Sequence, residues 1–141
     1  MREIKFRGKC VDTGRWIYGF YSFDMEYNAP MIMQLETVSN YPHEPESQHQ
    51  KLYQVDPKTV GQYTGLKDAK GVEIYEGDIV ECKTKERDGL LGRIFTTSYL
   101  MGNIYYKGNS FCVHNEGVYN NLALTCCGIV SVIGNIHESN K

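Results

Sequence analysis

Apolar and charged residues alternate at the start of the chain and predict its first strand. Positions 4, 6, 8 and 10 are apolar or small, whereas positions 3, 5, 7 and 9 are charged, and a period of two is typical of a half-buried strand. Residues 12–15, Asp-Thr-Gly-Arg, have the composition of a turn. Residues 16–23 follow as a second strand that is apolar on both faces. We therefore expect an N-terminal β-hairpin.

Short apolar or alternating stretches recur along the rest of the chain. They predict strands at residues 31–35, 59–63, 72–75, 79–83, 91–99, 103–106, 110–113 and 129–136. Between them we expect a helical turn or tight loop at 66–71, a helical turn at 122–125, and turns or loops at 38–50, 76–78, 84–89, 102, 108–109 and 115–121. Many short strands at regular turn spacing predict a mainly β fold, either a small barrel or a sandwich.

Composition and charge limit the class of protein. A chain of 141 residues fits one domain of ordinary size, and its eleven Tyr and fourteen Gly suit strands and turns. The net charge of −2 does not match the whole molecule to nucleic acid or to an anionic membrane. Basic residues gather within 1–15, whereas residues 16–50 contain acidic residues and no Lys or Arg. Two solvated faces of a sheet are the favoured interpretation of this asymmetry.

Targeting and redox signals favour the cytoplasm. The first residues are charged with no apolar segment after them, and no apolar run approaches the roughly 18 residues of a membrane span. None of the five cysteines forms a C-x-x-C pair. We expect a cytoplasmic protein with reduced thiols and no membrane partner.

Three segments carry a family likeness. The first is Arg-Glu-Ile-Lys-Phe-Arg-Gly-Lys at 2–9 with Trp-Ile-Tyr-Gly at 16–19. The second joins Val-Asp-Pro at 55–57, Val-Gly-Gln-Tyr-Thr-Gly-Leu-Lys-Asp at 60–68, Gly71 and Ile-Tyr-Glu-Gly-Asp-Ile-Val at 74–80. The third is Val-Ile-Gly-Asn-Ile-His-Glu at 132–138. In this order and spacing, the chain resembles the YopX-like family encoded by phages and prophages.

The resemblance implies a fold and a genetic context but no activity. It implies a mainly β protein in which an N-terminal β-hairpin region packs with a small SH3-like barrel of central and C-terminal strands. We expect a single domain over residues 1–141, with lobes at 1–52 and 53–138. The resemblance also implies an accessory gene of a phage or prophage. It implies neither a catalytic residue nor a cofactor.

Five residues of these segments are predicted to be structural turns. Glycine takes the positive φ angles of tight turns, and an aspartate carboxylate caps free backbone N–H groups. We expect this scaffold role for Gly61, Gly65, Gly71, Gly77 and Asp78. The acidic residues around them, at positions 68, 73, 76, 78 and 81, are interpreted as caps and solvated charges rather than an acid–base pair.

Cysteine and histidine give weak candidates for a metal site. Cys112 and His114 share a face of a predicted strand, and His137 or Cys126 would complete a zinc site. A second spaced pair is lacking, so a buried cysteine beside an ordinary histidine is favoured. His43 and His49 are weaker still. Cys126 and its neighbour, position 127, are adjacent thiols that would point to opposite strand faces, which favours inert cysteines.

Basic and aromatic residues share the hairpin. Lys5, Arg7, Lys9 and Arg15 lie near aromatic residues at 16, 18 and 21, and small barrels bind single strands by stacking bases within a positive groove. An isoelectric point of about 6.1 instead favours cations that cover the edge of a core.

The favoured function is a non-enzymatic protein-interaction module that binds another protein, or itself, through loops or an exposed strand edge. Nucleic-acid binding by the basic hairpin is the first alternative. A metal-dependent enzyme is the second, although the chain lacks phosphate-loop, dinucleotide, H-E-x-x-H and G-x-S-x-G motifs. No cofactor is expected.

Overall fold

A computed structural model describes residues 3–38, 42, 47–87, 89–115 and 119–138. Over these ranges the chain is mainly antiparallel β structure, as predicted. Its strands are β1 (Phe6–Lys9), β2 (Trp16–Asp24), β3 (Ala29–Val38), β4 (Ser47–Gln54), β5 (Gly61–Lys67), β6 (Glu73–Tyr75), β7 (Asp78–Arg87), β8 (Ile94–Lys107), β9 (Ser110–Asn115), β10 (Tyr119–Ala123) and β11 (Ile129–Asn135). Single 3-10 turns lie at Pro57–Thr59 and Leu124–Cys126. None of the described helical segments is long and apolar enough to cross a membrane.

The chain divides into two compact units, residues 1–63 and 64–141. The sheet of the first unit has the order β4-β3-β2-β1-β5. Strand β5 crosses the boundary, and β6 lies beside it. The sheet of the second unit has the order β10-β9-β8-β7-β11.

The predicted N-terminal hairpin is confirmed. Lys9 pairs with Trp16 at its closed end, and the N–H of Cys10 donates to the carbonyl of Arg15 at 2.9 Å. Gly14 takes the left-handed conformation in the turn, with φ of +70°. Strand β1 begins later than the alternation predicts, so that Ile4, an expected inward position, is exposed.

The core of the first unit lies on one side of its sheet. Ile17 and Ile32 are fully buried, and they pack with Cys10 and Val55. Gly8 lies against this cluster, where an added Cβ would come within 2.9 Å of the Val55 Cβ. Close packing at this point therefore requires a glycine in β1.

Strand β4 corrects the predicted loop at 38–50. Residues 47–50 are the first half of β4, which pairs with β3 from Ser47 opposite Val38 to Gln54 opposite Met31. The strand reads Ser-Gln-His-Gln-Lys-Leu-Tyr-Gln and is exposed along nearly its whole length. Its backbone pairing, not an apolar face, keeps it in the sheet. A polar edge strand of this kind carries no hydrophobic periodicity.

The core of the second unit is formed by one face of its sheet. Val80 and Cys82 point inward, as predicted, and pack with Ile104, Val113 and Leu124. The described pairings run in an open series from β10 to β11 without joining these two strands. The SH3-like barrel that the resemblance implies is therefore not confirmed.

Three predicted loops of the second unit are wrong in part. Residues 84–87 belong to β7, residue 102 lies inside one continuous strand β8, and residues 119–121 belong to β10. Gly102 is not a turn. An added Cβ there would lie 2.8 Å from Val113 Cγ1, so glycine lets β9 approach β8 closely. The predicted helical turn at 122–125 is a 3-10 turn at Leu124–Cys126.

Candidate functional site

Lysine, arginine and aromatic side chains share one face of the first sheet. Directly opposite residues of antiparallel strands lie on the same face, and the register places Arg7 opposite Tyr18 and Lys9 opposite Trp16. The Lys9 Nζ lies 5.4 Å from the centre of the Trp16 ring, and the Lys5 Nζ lies 5.3 Å from the centre of a further ring, that of Tyr63. We call this surface the cation–aromatic face.

Arg7 contradicts the predicted alternation. Its side chain is only 5% exposed, and its guanidinium carbon lies 4.5 Å from the centre of the Trp16 ring. A planar guanidinium stacks on an aromatic ring with less loss of hydration than an ammonium group. Arg7 is therefore part of the packing of the sheet rather than an exposed contact for phosphate.

An apolar row crosses the same face. Phe20 of β2 lies opposite Met33 of β3, and Met33 lies opposite Leu52 of β4. Phe20 and Leu52 are each 56% exposed. Leu35, two residues after Met33, and Tyr18, two residues before Phe20, extend the exposed apolar surface on this face. The row ends at β4, which is an edge strand in the described pairing.

The opposite face carries the other hairpin cation. The Arg15 Nη2 donates to the Tyr53 hydroxyl at 3.5 Å, and the Tyr53 hydroxyl donates to Glu36 in a short hydrogen bond. Tyr21 packs against Phe6, with 5.5 Å between ring centres. The four predicted nucleic-acid contacts thus do not form one surface, because Arg15 lies on the other face and Arg7 is buried.

Asp78 and Gly77 form a buried turn between β6 and β7. Asp78 is 2% exposed, and its Oδ2 accepts a hydrogen bond from the N–H of Tyr75 at 2.8 Å. Gly77 has φ of +87°; its N–H donates to Ile104, and its carbonyl accepts from Ile136, both at 2.8 Å. The carboxylate thus caps a backbone N–H and holds the turn.

The remaining predicted turn glycines divide into two groups. Gly65 and Gly71 have φ of +83° and +84°, which favours glycine. Gly71 lies in the turn before β6, whereas Gly65 lies within β5. Gly61, predicted to lie in a turn, instead lies in β5 opposite Arg7.

The family comparison agrees with these motifs. A family model described as YopX protein matches residues 5–141. The chain belongs to the YopX family. Comparison with curated proteins and with solved structures finds no match.

The metal candidates of this YopX-family protein are not brought together. Cys112 is buried, and its thiol donates to the carbonyl of Ser110 at 3.8 Å. The His114 ring packs edge-on against Tyr105, with 5.5 Å between ring centres. The His137 N–H donates to Asn135, next to the turn at Gly77. No three His, Cys, Asp or Glu side chains in the described ranges could hold a metal ion together.

The other histidine and cysteine candidates separate as well. His49 lies on β4, with its Nε2 hydrogen-bonded to the Ser47 hydroxyl at 3.0 Å. His43 lies outside the described residues, as does the side chain of Cys126. The structure instead packs Cys127 against the apolar cluster that contains Cys82, where the two thiols interact. Sequence reasoning missed this pair, because only the inward position of Cys82 was visible in the pattern.

Proposed function

We propose that this YopX-family protein is a non-enzymatic accessory protein of a phage or prophage, and that it binds another protein in the bacterial cytoplasm. The observation that carries the proposal is the apolar row on the cation–aromatic face, from Phe20 through Met33 to Leu52. Exposed, contiguous apolar side chains favour a surface that another protein covers.

The surroundings of the row indicate the chemistry of the partner. Aliphatic and aromatic side chains together resemble the centre of a protein interface, where buried apolar groups dominate. Lys5 and Lys9 place positive charge on the same face. We therefore expect a partner surface with apolar residues flanked by acidic ones, since complementary charge steers association. The edge strand β4 lies at the end of the row and offers backbone groups to an added strand.

Paired surface substitutions test the proposal. The double variant Phe20→Ser with Leu52→Ser removes the apolar row, whereas Leu91→Ser removes an equally exposed leucine from a turn of the second unit. A tagged protein is used to capture partners from bacterial lysate treated with nuclease. We expect a stoichiometric protein to be retained by the wild type and by the Leu91 variant, and lost by the double variant. Equal capture by all three proteins would contradict the proposal.

Single-stranded nucleic acid is the second candidate ligand. Tyr18 and Phe20 are exposed aromatic residues on one face of β2, near Lys9, and bases stack on such residues. The burial of Arg7 and the aliphatic Leu52 weaken this alternative. Lys5→Gln with Lys9→Gln would reduce the salt dependence of nucleic-acid binding by about two phosphate contacts. Nuclease-sensitive, salt-sensitive capture would favour this ligand over a protein.

Self-association through the same face is a further outcome of these measurements. Light scattering over a wide concentration range would show a dimer that the double variant loses.

A further inference from the structure

Two cysteines meet in the core of the second unit. Cys82 on β7 is 3% exposed and belongs to the main apolar cluster, and Cys127 is partly buried and packs against that cluster. The two thiols lie close enough to influence each other electrostatically. The Cys127 thiol also lies 3.7 Å from the carbonyl of Ala123. Both sulfur atoms are therefore held in place by the fold.

A cavity gives small molecules access to one member of the pair. Its volume is about 450 Å³, and Cys127 lines it together with Leu66, Ile74, Leu124 and Ile129. Cys82 is not among the lining residues. The two thiols thus differ in access, because one borders the cavity and the other is enclosed by the core.

The interaction between the two thiols also gives them different acidities. It lowers the pKa of Cys127, in spite of the opposing effect of its burial. The same interaction, together with burial, raises the pKa of Cys82. A thiolate, not a thiol, is the nucleophile in cysteine chemistry. The more accessible cysteine is therefore also the more nucleophilic one.

We propose that the cavity of the second unit is a peroxide-reactive site, in which Cys127 is the attacking thiol and Cys82 the resolving thiol. The Cys127 thiolate attacks one oxygen of hydrogen peroxide or a small organic peroxide. The O–O bond breaks, the leaving oxygen takes a proton and departs as water or an alcohol, and Cys127 becomes a sulfenic acid. The Cys82 sulfur then attacks the Cys127 sulfur, which releases water and forms a disulfide. The pair loses two electrons and two protons overall, and these reduce the peroxide.

The remaining cysteines provide internal comparisons. Cys10 is buried in the first unit. Cys112 is buried on the face of the second sheet that lies opposite to the face of Val113. Neither borders the cavity. Cys126 directly precedes Cys127 in sequence. It therefore shows whether Cys127 forms a disulfide with Cys82, as the fold predicts, or with its neighbour along the chain.

Peptide mapping of the native protein after one equivalent of hydrogen peroxide tests the site. We expect a disulfide that joins the peptides of Cys82 and Cys127, with a mass about 2 Da lower than that of the two free thiols. Brief iodoacetamide treatment of the reduced native protein should label Cys127 at least about tenfold faster than Cys112. A disulfide between Cys127 and Cys126, or equal labelling of Cys127 and Cys112, would overturn the proposal.

Substitutions separate the two roles. In Cys82→Ala, peroxide should leave a sulfenic acid on Cys127 that dimedone traps, because no resolving thiol is present. Cys127→Ser should form neither product, whereas Cys126→Ala and Cys112→Ala should form the disulfide at the wild-type rate. Dimedone adducts on Cys82 in the Cys127 variant would reverse the assignment of roles. Peptide mapping of the wild-type protein still tests the proposal if a substitution in the core prevents folding.

Discussion

The carboxylate of Asp68 accepts a hydrogen bond from the backbone N–H of Val132 at 3.0 Å and so joins the turn before β6 to the last strand of the second unit. Its other oxygen accepts from the N–H groups of Lys70 and Val72 at 2.8 and 2.9 Å. Close by, the N–H of Ala69 donates to the carbonyl of Val130. One buried side chain therefore satisfies three backbone donors and fixes a turn against a strand.

Removal of this carboxylate should destabilise the second unit. Asp68→Ala leaves three partly buried N–H groups without their acceptor, and we expect the free energy of unfolding to fall by about 2 kcal/mol. Glu81→Ala is the control, because it removes a surface carboxylate 3.2 Å from Lys83 and should cost less than about 1 kcal/mol. Chemical denaturation followed by circular dichroism measures both. Equal losses in the two variants would contradict the structural role of Asp68.

Stability should also depend on pH through Asp68. Burial alone raises the pKa of this carboxyl group, but hydrogen bonds from Val132, Val72 and Lys70 outweigh it and hold the pKa below its ordinary value of 3.8. A lowered folded-state pKa means that the unfolded chain binds more protons near pH 4, so the contribution is complete above that pH and is lost as the pH falls through the folded pKa. Unfolding measured from pH 6 to pH 2.5 should show less acid sensitivity in Asp68→Asn than in the wild type. Parallel curves would contradict this.

Gly77 and Gly71 provide a matched pair of substitutions. Both have positive φ, of +87° at Gly77 and +84° at Gly71. A Cβ added at Gly77 would lie 3.1 Å from His137 Nε2, whereas a Cβ added at Gly71 would meet no atom within 4 Å. We expect Gly71→Ala to cost about 1–2 kcal/mol from backbone strain alone and Gly77→Ala to cost more. His137→Ala should remove the difference in a double-mutant cycle. Thermal unfolding measures all four variants, and a larger loss at Gly71 would contradict the geometry.

Sequence patterns predict the strands in which alternating apolar and polar side chains match one buried and one exposed face. The hairpin at Trp16 and the inward positions of Val80 and Cys82 follow from alternation, because one strand face is buried. Apart from Leu52 and Tyr53, strand β4 is polar, and its place depends on backbone pairing with β3. Glycine is common in turns, yet Gly102 lies within β8, where the lack of a side chain lets β9 approach closely. Such features depend on neighbours that are distant in sequence.

The candidate sites divide in the same way. Lys5 and Lys9 were visible as a basic hairpin, but the burial of Arg7 depends on the position of the Trp16 ring. The apolar row from Phe20 to Leu52 depends on the register of three strands. Phe20 and Met33 lie in stretches with apolar residues on both strand faces, and Leu52 lies in a mostly polar stretch. Local patterns therefore do not show that the three residues share an exposed face.

Arg7 should contribute more to stability than to ligand binding. Arg7→Ala removes a buried guanidinium from the Trp16 ring, and we expect the first unit to lose about 2 kcal/mol. Lys9→Ala, at a partly exposed position on the same ring, should cost about 0.5 kcal/mol. The fluorescence of Trp16, the single tryptophan, follows unfolding of this unit directly. An arginine variant as stable as the lysine variant would show that the stacked pair does not support the sheet.

Site-specific photo-crosslinking in the bacterial host tests most directly whether the apolar row binds a protein. Benzoylphenylalanine replaces Phe20 in one variant and Leu91, an exposed residue outside the first sheet, in the other. After irradiation, the Phe20 variant should give one discrete protein adduct that resists nuclease, and the Leu91 variant should not. No adduct at position 20, or the same adducts at both positions, would contradict a protein-binding role for this face.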